Sequence, residues 1–292
     1  MAEQKEIFDR SYPENDGILN CLDESVLADA VKRTDMATYS LRAADFSEDQ
    51  MLSLSPEEER LLAPLSGVPS EDFILELAGG NGRFALHLLR RGHRVIETDI
   101  AHGSVERVRR TALDAGLTNG LYAIVDAERL PFRDGSLGAV FMVASLHHLP
   151  HPDVAIREIA RVLKPGGRLL ILREPASWQY YLFLPAYWLV RKFLRRRNQN
   201  AFSLADDVTW GFSCGRLRSL LKKDFGQIEI RPVHYLRKFY RNWVVLRAKL
   251  GRPSRVDPAV ERRLETCDGI IARIPLLNRL PWDWDISAVR KS

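Results

Sequence analysis

The chain has 292 residues, a length that suits one large α/β domain or a domain with a small companion. Hydrophobic residues make up 46% and charged residues 28%, as in an ordinary globular protein. No apolar run reaches the ~20 residues needed to cross a bilayer, the polar N-terminus lacks the features of a secretory signal, and three widely separated cysteines indicate neither disulfides nor a zinc site. A cytoplasmic location is therefore expected, with a peripheral position at the membrane as the alternative.

Charge is divided unevenly along the chain. Residues 1–175 hold 20 Lys and Arg against 28 Asp and Glu, whereas residues 176–292 hold 23 against 10. A basic half of this kind favours an anionic partner. A solvated basic surface without a partner is the plain alternative.

The pattern of elements divides the chain into three predicted segments. Residues 1–70 form an acidic lead-in with short amphipathic helices at 26–31 and 57–65. Residues 71–175 alternate buried strands (73–77, 94–98, 121–125, 138–144 and 168–172) with helices (83–91, 104–115 and 153–163). Residues 176–292 hold insertions, a helix at 214–223 and two further strands at 227–231 and 285–289.

Strands that alternate with helices predict a Rossmann-like α/β fold. The strands are apolar almost throughout, as in a parallel sheet covered on both faces. Right-handed crossovers then give a doubly wound, mostly parallel, seven-stranded sheet. A helical N-terminal cap or lead-in precedes this sheet, and C-terminal substrate insertions follow it.

A glycine-rich turn follows the first predicted strand and reads Glu76-Leu77-Ala78-Gly79-Gly80-Asn81-Gly82. Glycine lets the backbone turn sharply and approach a ligand, and the next helix offers free N–H groups at its start. Asp99 ends the second strand, where a carboxylate can accept both hydroxyls of a ribose. Together they indicate an adenosine-containing cofactor, either NAD-like or similar to S-adenosylmethionine (SAM). The alternatives are purely structural: a tight turn that binds no ligand, and an Asp99 that caps the next helix.

Three further segments distinguish between these cofactors. Asp126 and Ala127 open the segment 126–132 after the third strand, Ser145-Leu146-His147-His148-Leu149-Pro150 follows the fourth, and Lys164-Pro165-Gly166-Gly167 precedes the fifth. With the glycine turn, residues 72–174 resemble the class I SAM-dependent methyltransferases of type 11. Within that class, the similarity is to the branch with the quinone methyltransferases and many small-molecule methyltransferases. An NAD-dependent oxidoreductase would explain only the glycine turn and Asp99.

The resemblance implies roles for the residues of the glycine turn. Ala78, Gly79, Gly80 and Gly82 would wrap the methionine part of SAM. Glu76 would order this loop and the region of the methionine ammonium group.

Four residues that follow the later strands match the rest of the family's cofactor site. The resemblance implies that Asp99 holds the ribose hydroxyls, and that Asp126 accepts a hydrogen bond from the adenine amino group with Ala127 beside the ring. Ser145 would lie near the sulfonium and the acceptor. Two positions depart from the family pattern: Ala78 replaces the usual Gly, and Gly138 replaces a frequent Asp. Both are interpreted as tolerated drift.

Histidines follow the fourth strand, at the edge where open α/β sheets bind ligands. Methyl transfer from SAM is an in-line displacement, and a hydroxyl or acidic carbon acceptor also needs a base, a role that suits histidine. His147 is the first candidate for this catalytic role, and a purely structural loop is the alternative. No carboxylate or cysteine completes a ligand set with His147, His148 and His151, so no metal is expected. Glu174, past the fifth strand, is expected either to bind substrate or to cap a helix or loop.

Two stretches in the basic half bear on the acceptor. Residues 178–190 are aromatic and apolar, and residues 191–197 add arginines. They predict a lid over an apolar pocket or, alternatively, a peripheral membrane contact through 178–197. Residues 234–243 interleave aromatic and basic side chains in a way that can stack on RNA, but no recognised RNA-binding module accompanies them. Nucleic acid is therefore disfavoured as a partner.

The sequence predicts an enzyme that uses SAM to methylate a small-molecule acceptor, with a hydrophobic or lipid-like acceptor slightly favoured. A sugar or other polar or anionic metabolite is the alternative acceptor. An inactive, methyltransferase-like binding protein is the alternative class.

Overall fold

A computed structural model of the chain describes residues 2–182, 210–249, 252 and 255–292. These residues form one nine-stranded sheet with helices on its faces. The strands are β1 (Glu14–Asn15), β2 (Ile18–Asn20), β3 (Phe73–Glu76), β4 (Arg94–Asp99), β5 (Gly120–Ile124), β6 (Leu137–Val143), β7 (Leu163–Pro175), β8 (Phe225–Val233) and β9 (Asp283–Arg290). The helices are α1 (Ala2–Ile7), α2 (Ala30–Arg42), α3 (Glu48–Leu52), α4 (Pro56–Leu61), α5 (Arg83–Arg90), α6 (His102–Asp114), α7 (Pro152–Val162), α8 (Cys214–Leu221), α9 (Leu236–Lys249) and α10 (Pro258–Ile271).

The strands lie in the order β1-β2-β5-β4-β3-β6-β7-β9-β8. Neighbours from β2 to β7 pair in parallel, while β9 pairs antiparallel with both β7 and β8. After β3 the chain adds β4 and β5 on one side, and it then returns to add β6 and β7 on the other. Open α/β sheets bind ligands at the carboxyl ends of the strands where the order reverses, here β3 and β6.

Side chains of the central strands alternate between two apolar cores. Ile74 packs in one core with Phe84 of α5 and Val105 of α6. Leu75 packs in the other core with Ile156 of α7 and other side chains on that face. Because successive residues of a strand point to opposite faces, the sheet is covered by helices on both sides.

The predicted Rossmann-like fold is confirmed, but the predicted count of seven strands is wrong. The lead-in, predicted to be helical, also holds the hairpin β1–β2, which extends the sheet beyond β5. Asp16 and Gly17 both have positive φ (48° and 71°), the backbone that a two-residue hairpin loop requires. Ile18 and Leu19 are buried as a result. An Asp-Gly pair before apolar residues is a local hairpin pattern, and here it was overlooked.

Helix α2 is longer and begins later than the helix predicted at 26–31. Asp29 caps it, because its carboxylate accepts the N–H groups of Val31 at 2.8 Å and Lys32 at 3.2 Å. The helix packs closely on α6. A Cβ atom at Gly103 of α6 would come within 3.0 Å of Ser40, so this contact needs a glycine.

The carboxyl-terminal strands predicted at 227–231 and 285–289 are present as β8 and β9. Of the segment predicted as a lid or membrane contact, residues 177–182 are helical and 183–197 lie outside the described residues. Within the described ranges, no helix is both long and apolar enough to cross a membrane.

Candidate cofactor and acceptor site

One cavity of about 450 Å³ lies at the carboxyl ends of β3, β4, β5 and β6 and is covered by α2. Its walls come from the glycine turn, from the residues after β4 and β5, from the start of the loop after β6, and from one face of α2. Its main polar and apolar lining residues are Lys32, Asp35, Tyr39, Arg42, Phe46, Ala78, Gly79, Gly80, Asp99, Ile100, Val125, Asp126, Ala127, Ser145, His148 and Leu149. The volume lies within the usual range of small-molecule sites, about 300–1,000 Å³.

The glycine turn is fixed by bonds to the end of β4. The N–H of Gly79 donates to the carbonyl of Thr98 at 2.9 Å, and the N–H of Gly80 donates to Oδ2 of Asp99 at 2.8 Å. Gly82 must remain glycine, because a Cβ atom there would lie 2.5 Å from Val108. The turn therefore holds its shape through backbone bonds and close packing, with its upper side in the cavity wall.

Two alanines in the cavity wall have a left-handed backbone. Ala78 has φ 55° and Ala144 has φ 50°. This conformation is unfavourable for residues with a side chain and is often retained at functional sites. At Ala78, the departure from the family's usual glycine is therefore a source of backbone strain, which goes beyond tolerated drift.

Asp99 presents a buried carboxylate to the cavity. Its Oδ1 accepts the N–H of Ala101 at 2.8 Å, and its Oδ2 accepts the N–H of Gly80. Burial raises the pKa of Asp99, although these backbone donors act in the opposite direction. The two donors fix the orientation of the carboxylate and leave acceptor capacity toward the cavity.

Asp126 is held between the chain that follows it and helix α2. Its Oδ1 accepts the N–H of Glu128 at 3.0 Å, and its Oδ2 lies 2.8 Å from Nζ of Lys32. The same Nζ lies 2.7 Å from Oε2 of Glu128. Burial by itself would lower the pKa of Lys32, but the two carboxylates outweigh it and raise this pKa. Lys32 thus fastens α2 to the far wall of the cavity.

Glu76 and Glu97 lie beneath the glycine turn, outside the cavity lining. Glu76 accepts the N–H of Ala85 at 2.8 Å, and burial raises its pKa to about 8. Glu97 pairs with Glu76 in the strand register and is fully buried. Its carboxyl oxygens have no hydrogen-bond partner among the described residues, and burial raises its pKa well above the ordinary value. A Cβ atom at Gly79 would lie 3.0 Å from both acids, so they support the turn from below.

Glu174 organises the loop after β6. Its Oε1 accepts the N–H groups of Ser145 and Leu146, both at 2.9 Å, and its Oε2 accepts the N–H of His147 at 3.1 Å. Glu174 is fully buried, so it caps the short 3₁₀ turn Leu146–His148 from inside the protein. The capping alternative for Glu174 is the one that this geometry matches.

His147 and His148 differ in their surroundings. His147 has its Nδ1 3.0 Å from Oε2 of Glu174, and its side chain is not part of the cavity lining. His148 lines the cavity, and its Nε2 lies 3.4 Å from the hydroxyl of Tyr39. The two imidazole rings pack with their centres 4.2 Å apart. The residue that faces the cavity is therefore His148, one position beyond the expected His147.

The cavity brings together most of the site residues expected from the sequence. Those in its wall are Ala78, Gly79, Gly80, Asp99, Asp126, Ala127 and Ser145. Glu76 and Gly82 support the glycine turn from outside the lining. The sequence predicted a helical N-terminal cap or lead-in but none of the residues that α2 contributes to the cavity, such as Lys32 and Tyr39. Asp29, which caps α2, is a local pattern that indicates where this helix begins.

Gly138, the second departure from the family pattern, has a steric reason. A Cβ atom there would lie 2.7 Å from Cβ of Asp72 and 2.8 Å from its Oδ2. The carboxylate of Asp72 occupies the space beside Gly138 and forms an ion pair with Lys164. The structure therefore already holds an acid at this place, contributed by a neighbouring segment.

Known proteins are similar to the part of the chain that forms most of this cavity. The family model described as "Methyltransferase domain" matches residues 75–171. The ubiquinone/menaquinone biosynthesis C-methyltransferase UbiE of Pseudomonas putida is 39% identical over 118 residues, which are 39% of this chain and 46% of that protein. The protein of the same name from Pseudomonas paraeruginosa is 38% identical over 125 residues, 41% of this chain and 49% of that protein. The chain thus spans about half the length of the curated relatives it matches.

Solved structures with a similar fold cover more of the chain. The YcgJ protein of Bacillus subtilis covers 82% of this chain and all of its own length, with a TM-score of 0.52 and 20% identity. Phosphoethanolamine N-methyltransferase 2 of Haemonchus contortus, solved with phosphomonomethylethanolamine and S-adenosylhomocysteine (SAH), covers 87% of this chain and 60% of its own, with a TM-score of 0.54 and 16% identity. At this identity the likeness concerns the fold alone.

The sheet order, the glycine turn and the acids at the strand ends define a class I methyltransferase fold. More particularly, residues 75–171 match the family model of a methyltransferase domain and are similar to the corresponding part of the UbiE proteins, as the sequence motifs predicted.

Proposed function

We propose that this protein is a SAM-dependent methyltransferase that acts on a small molecule with a large apolar part. The observation that carries the proposal is the presence of Asp99, Asp126 and the glycine turn around one cavity that also contains Tyr39 and His148. The acids and the turn offer the polar groups that a cofactor needs, and the remaining wall includes apolar side chains such as Phe46 and Leu149. Both parts of a group-transfer site are thus available in one space.

The chemistry of the donor and acceptor groups fits adenosine. A carboxylate has about four acceptor positions, of which two on Asp99 are used by backbone N–H groups. The two left match the two hydroxyls of a ribose. Asp126 likewise has acceptor capacity beyond Lys32 and the N–H of Glu128, and Ala127 and Ile100 supply apolar surface for a ring. Asp99, Asp126, Ala127 and the turn 78–82 would hold SAM.

SAM supplies a methyl group on a sulfonium that is already activated for attack, so the chain's task is alignment and the exclusion of water. Helix α2 covers one side of the cavity, and Lys32 holds this helix in place. We assign the base role expected at His147 to His148, which faces the cavity beside Tyr39. His147, fixed by Glu174, would position the ring of His148 by packing against it.

An apolar acceptor is supported by Phe46, Val143 and Leu149, three apolar side chains in the wall of the cavity. The UbiE relatives are named for C-methylation in quinone biosynthesis, which makes an aromatic ring with an apolar tail the first acceptor class to test. A polar or anionic metabolite remains the alternative because Arg42 and Asp35 also line the cavity. The peripheral contact through 178–197 stays a prediction, since 183–197 lie outside the described residues.

The test is methyl transfer from SAM that carries a labelled methyl group. The full chain would be incubated with an extract of its source cells, and the products divided into lipid, aqueous, nucleic-acid and protein fractions. Label in the lipid fraction supports the proposed acceptor class, and label in the aqueous fraction overturns it in favour of a polar acceptor. No transfer by a chain that binds SAH in isothermal titration, even with ring acceptors of the quinol type, would favour an inactive binding protein.

A further inference from the structure

Helix α9 departs from the usual amphipathic arrangement over its first two turns. Its charged side chains near the start face the protein: Arg237 is only 5% exposed and donates to Glu57, with one bond of 2.7 Å. Lys238 lies 3.0 Å from a carboxylate oxygen of Asp283. A helix on a globular protein normally buries its apolar face and exposes its charged face to water.

Four apolar side chains of α9 point outward, whereas Val244 is buried. Phe239 is 59% exposed and Trp243 is 53% exposed, and Leu236 and Val245 are exposed to a similar degree. Leu236, Phe239 and Trp243 follow helical spacing and so lie on one face. A contiguous apolar face of this kind marks a surface that meets an apolar environment.

A second exposed apolar element lies beside α9, in the loop 273–280. Leu276 is 71% exposed, and Ile274, Leu277 and Leu280 are also exposed. The backbone of Leu276 has φ 80° and ψ −50°, a rare and strained turn that holds this side chain outward. Trp282 connects the two elements: its backbone N–H donates to the carbonyl of His234, and its ring centre lies 6.4 Å from that of Phe239.

The exposed charged residues of these two elements are basic, whereas Arg237, Lys238 and Arg241 of α9 pair with acids outside them. Residues 236–249 contain five Lys and Arg and no acid, and residues 269–282 contain Arg273 and Arg279 and no acid. The two arginines flank the apolar loop and are exposed. An apolar face with a basic border is complementary to a bilayer that contains anionic lipid, where Trp and Phe sit at the headgroups and leucines reach the acyl chains.

We propose that the face formed by Leu236, Phe239 and Trp243 of α9 and by Ile274, Leu276, Leu277 and Leu280 of the adjacent loop docks on the surface of an anionic lipid bilayer. Binding to RNA fits these residues less well. Most of the exposed side chains are aliphatic and offer no ring on which a base can stack, and Arg237 and Lys238 are committed to internal acids. The proposal does not depend on the transfer reaction, but the face would give an apolar acceptor a short route from the bilayer.

The experiment is co-sedimentation of the full chain with vesicles of phosphatidylcholine, with or without about one third phosphatidylglycerol. We expect partitioning onto the anionic vesicles. Leu276→Ser/Leu277→Ser and Arg273→Gln/Arg279→Gln should each reduce it by about tenfold or more. The matched control is Leu113→Ser, a leucine 48% exposed on α6, which should leave partitioning unchanged. All these positions are exposed, and circular dichroism and the thermal midpoint would verify that each variant folds.

Three results would overturn the proposal. The first is an equal affinity of the wild-type chain and the two double variants for anionic vesicles. The second is binding of a single-stranded RNA by a wild-type chain that does not partition onto vesicles. The third is a wild-type dimer in sedimentation equilibrium that Leu276→Ser/Leu277→Ser converts to a monomer, without vesicle binding, since a second copy would then cover the face.

Discussion

The ammonium group of Lys32 lies 2.8 Å from Oδ2 of Asp126, although 94 residues separate them in sequence. This ion pair, extended to Glu128, holds helix α2 over the cavity and beside Asp126, the residue that we propose binds adenine. Lys32 therefore links helix α2 to the opposite side of the cavity.

Replacing Lys32 by Met should loosen this cover. The change leaves Asp126 and Glu128 close together without their shared cation, and their ion pairs with Lys32 are largely shielded from solvent. We expect the free energy of unfolding to fall by about 1–3 kcal/mol, as measured by urea denaturation, and SAH affinity to fall as well. Lys223→Met, at an exposed lysine distant from the cavity, serves as the control. An unchanged stability and affinity in the Lys32 variant would contradict the role given to this residue.

Variants of the two adjacent histidines can show which of them acts as the base. His148→Ala should lower kcat by about 10²–10⁴, because His148 faces the cavity, while SAH affinity changes little. Tyr39→Phe should have a smaller effect of the same kind, since it removes only the hydroxyl 3.4 Å from Nε2. His147→Gln should be milder than His148→Ala. A larger loss of kcat in the His147 variant would return the base role to that residue.

The raised pKa of Glu76 predicts how stability depends on pH. The unfolded chain releases this proton near pH 4.5, whereas the folded protein holds it to about pH 8. Glu76 therefore contributes stability that is fully present below pH 4.5 and is lost as the pH rises through about 8. Glu76→Gln keeps an oxygen for the N–H of Ala85 and cannot ionise, so the thermal midpoint of this variant should fall less between pH 5 and pH 8 than that of the wild type. Parallel curves for the two proteins would show that Glu76 does not titrate in this range.

Replacing the strained Ala78 of the glycine turn by glycine should stabilise the protein. Ala78 has a left-handed backbone that costs a residue with a side chain about 1–2 kcal/mol, whereas glycine adopts it freely. Because glycine also loses more entropy on folding, we expect Ala78→Gly to raise the free energy of unfolding by up to about 1 kcal/mol. Gly138→Ala should destabilise instead, since its Cβ atom would meet Asp72 at 2.7 Å. Destabilisation by Ala78→Gly would argue that the methyl group of Ala78 packs in an essential contact.

The sequence predicted the features of the site that depend on local pattern. The glycine turn and Asp99 could be predicted because a buried strand, a turn and the start of a helix follow one another directly in the sequence. The role of α2 depends on Lys32 meeting Asp126 across the fold, which spacing along the chain does not encode. The choice between His147 and His148 depends on Glu174, which fixes a 3₁₀ turn from a different strand. The hairpin at Asp16 and Gly17 has a local sequence pattern, but the lead-in was interpreted as mostly helical and the hairpin was not predicted.

The most direct measurement of the central claim is isothermal titration of the chain with SAH, paired with the variants Asp99→Ala and Asp99→Asn. We predict one site per chain for the wild type, and an affinity at least about a hundredfold weaker in both variants, because two hydrogen bonds to a charged acceptor are lost or weakened. Asp99→Asn keeps the shape of the side chain and can still accept one backbone N–H, so its stability separates binding from folding. NADH should not bind. Wild-type affinity for SAH in a folded Asp99→Asn variant, or binding of NADH in place of SAH, would contradict the assignment of this cavity.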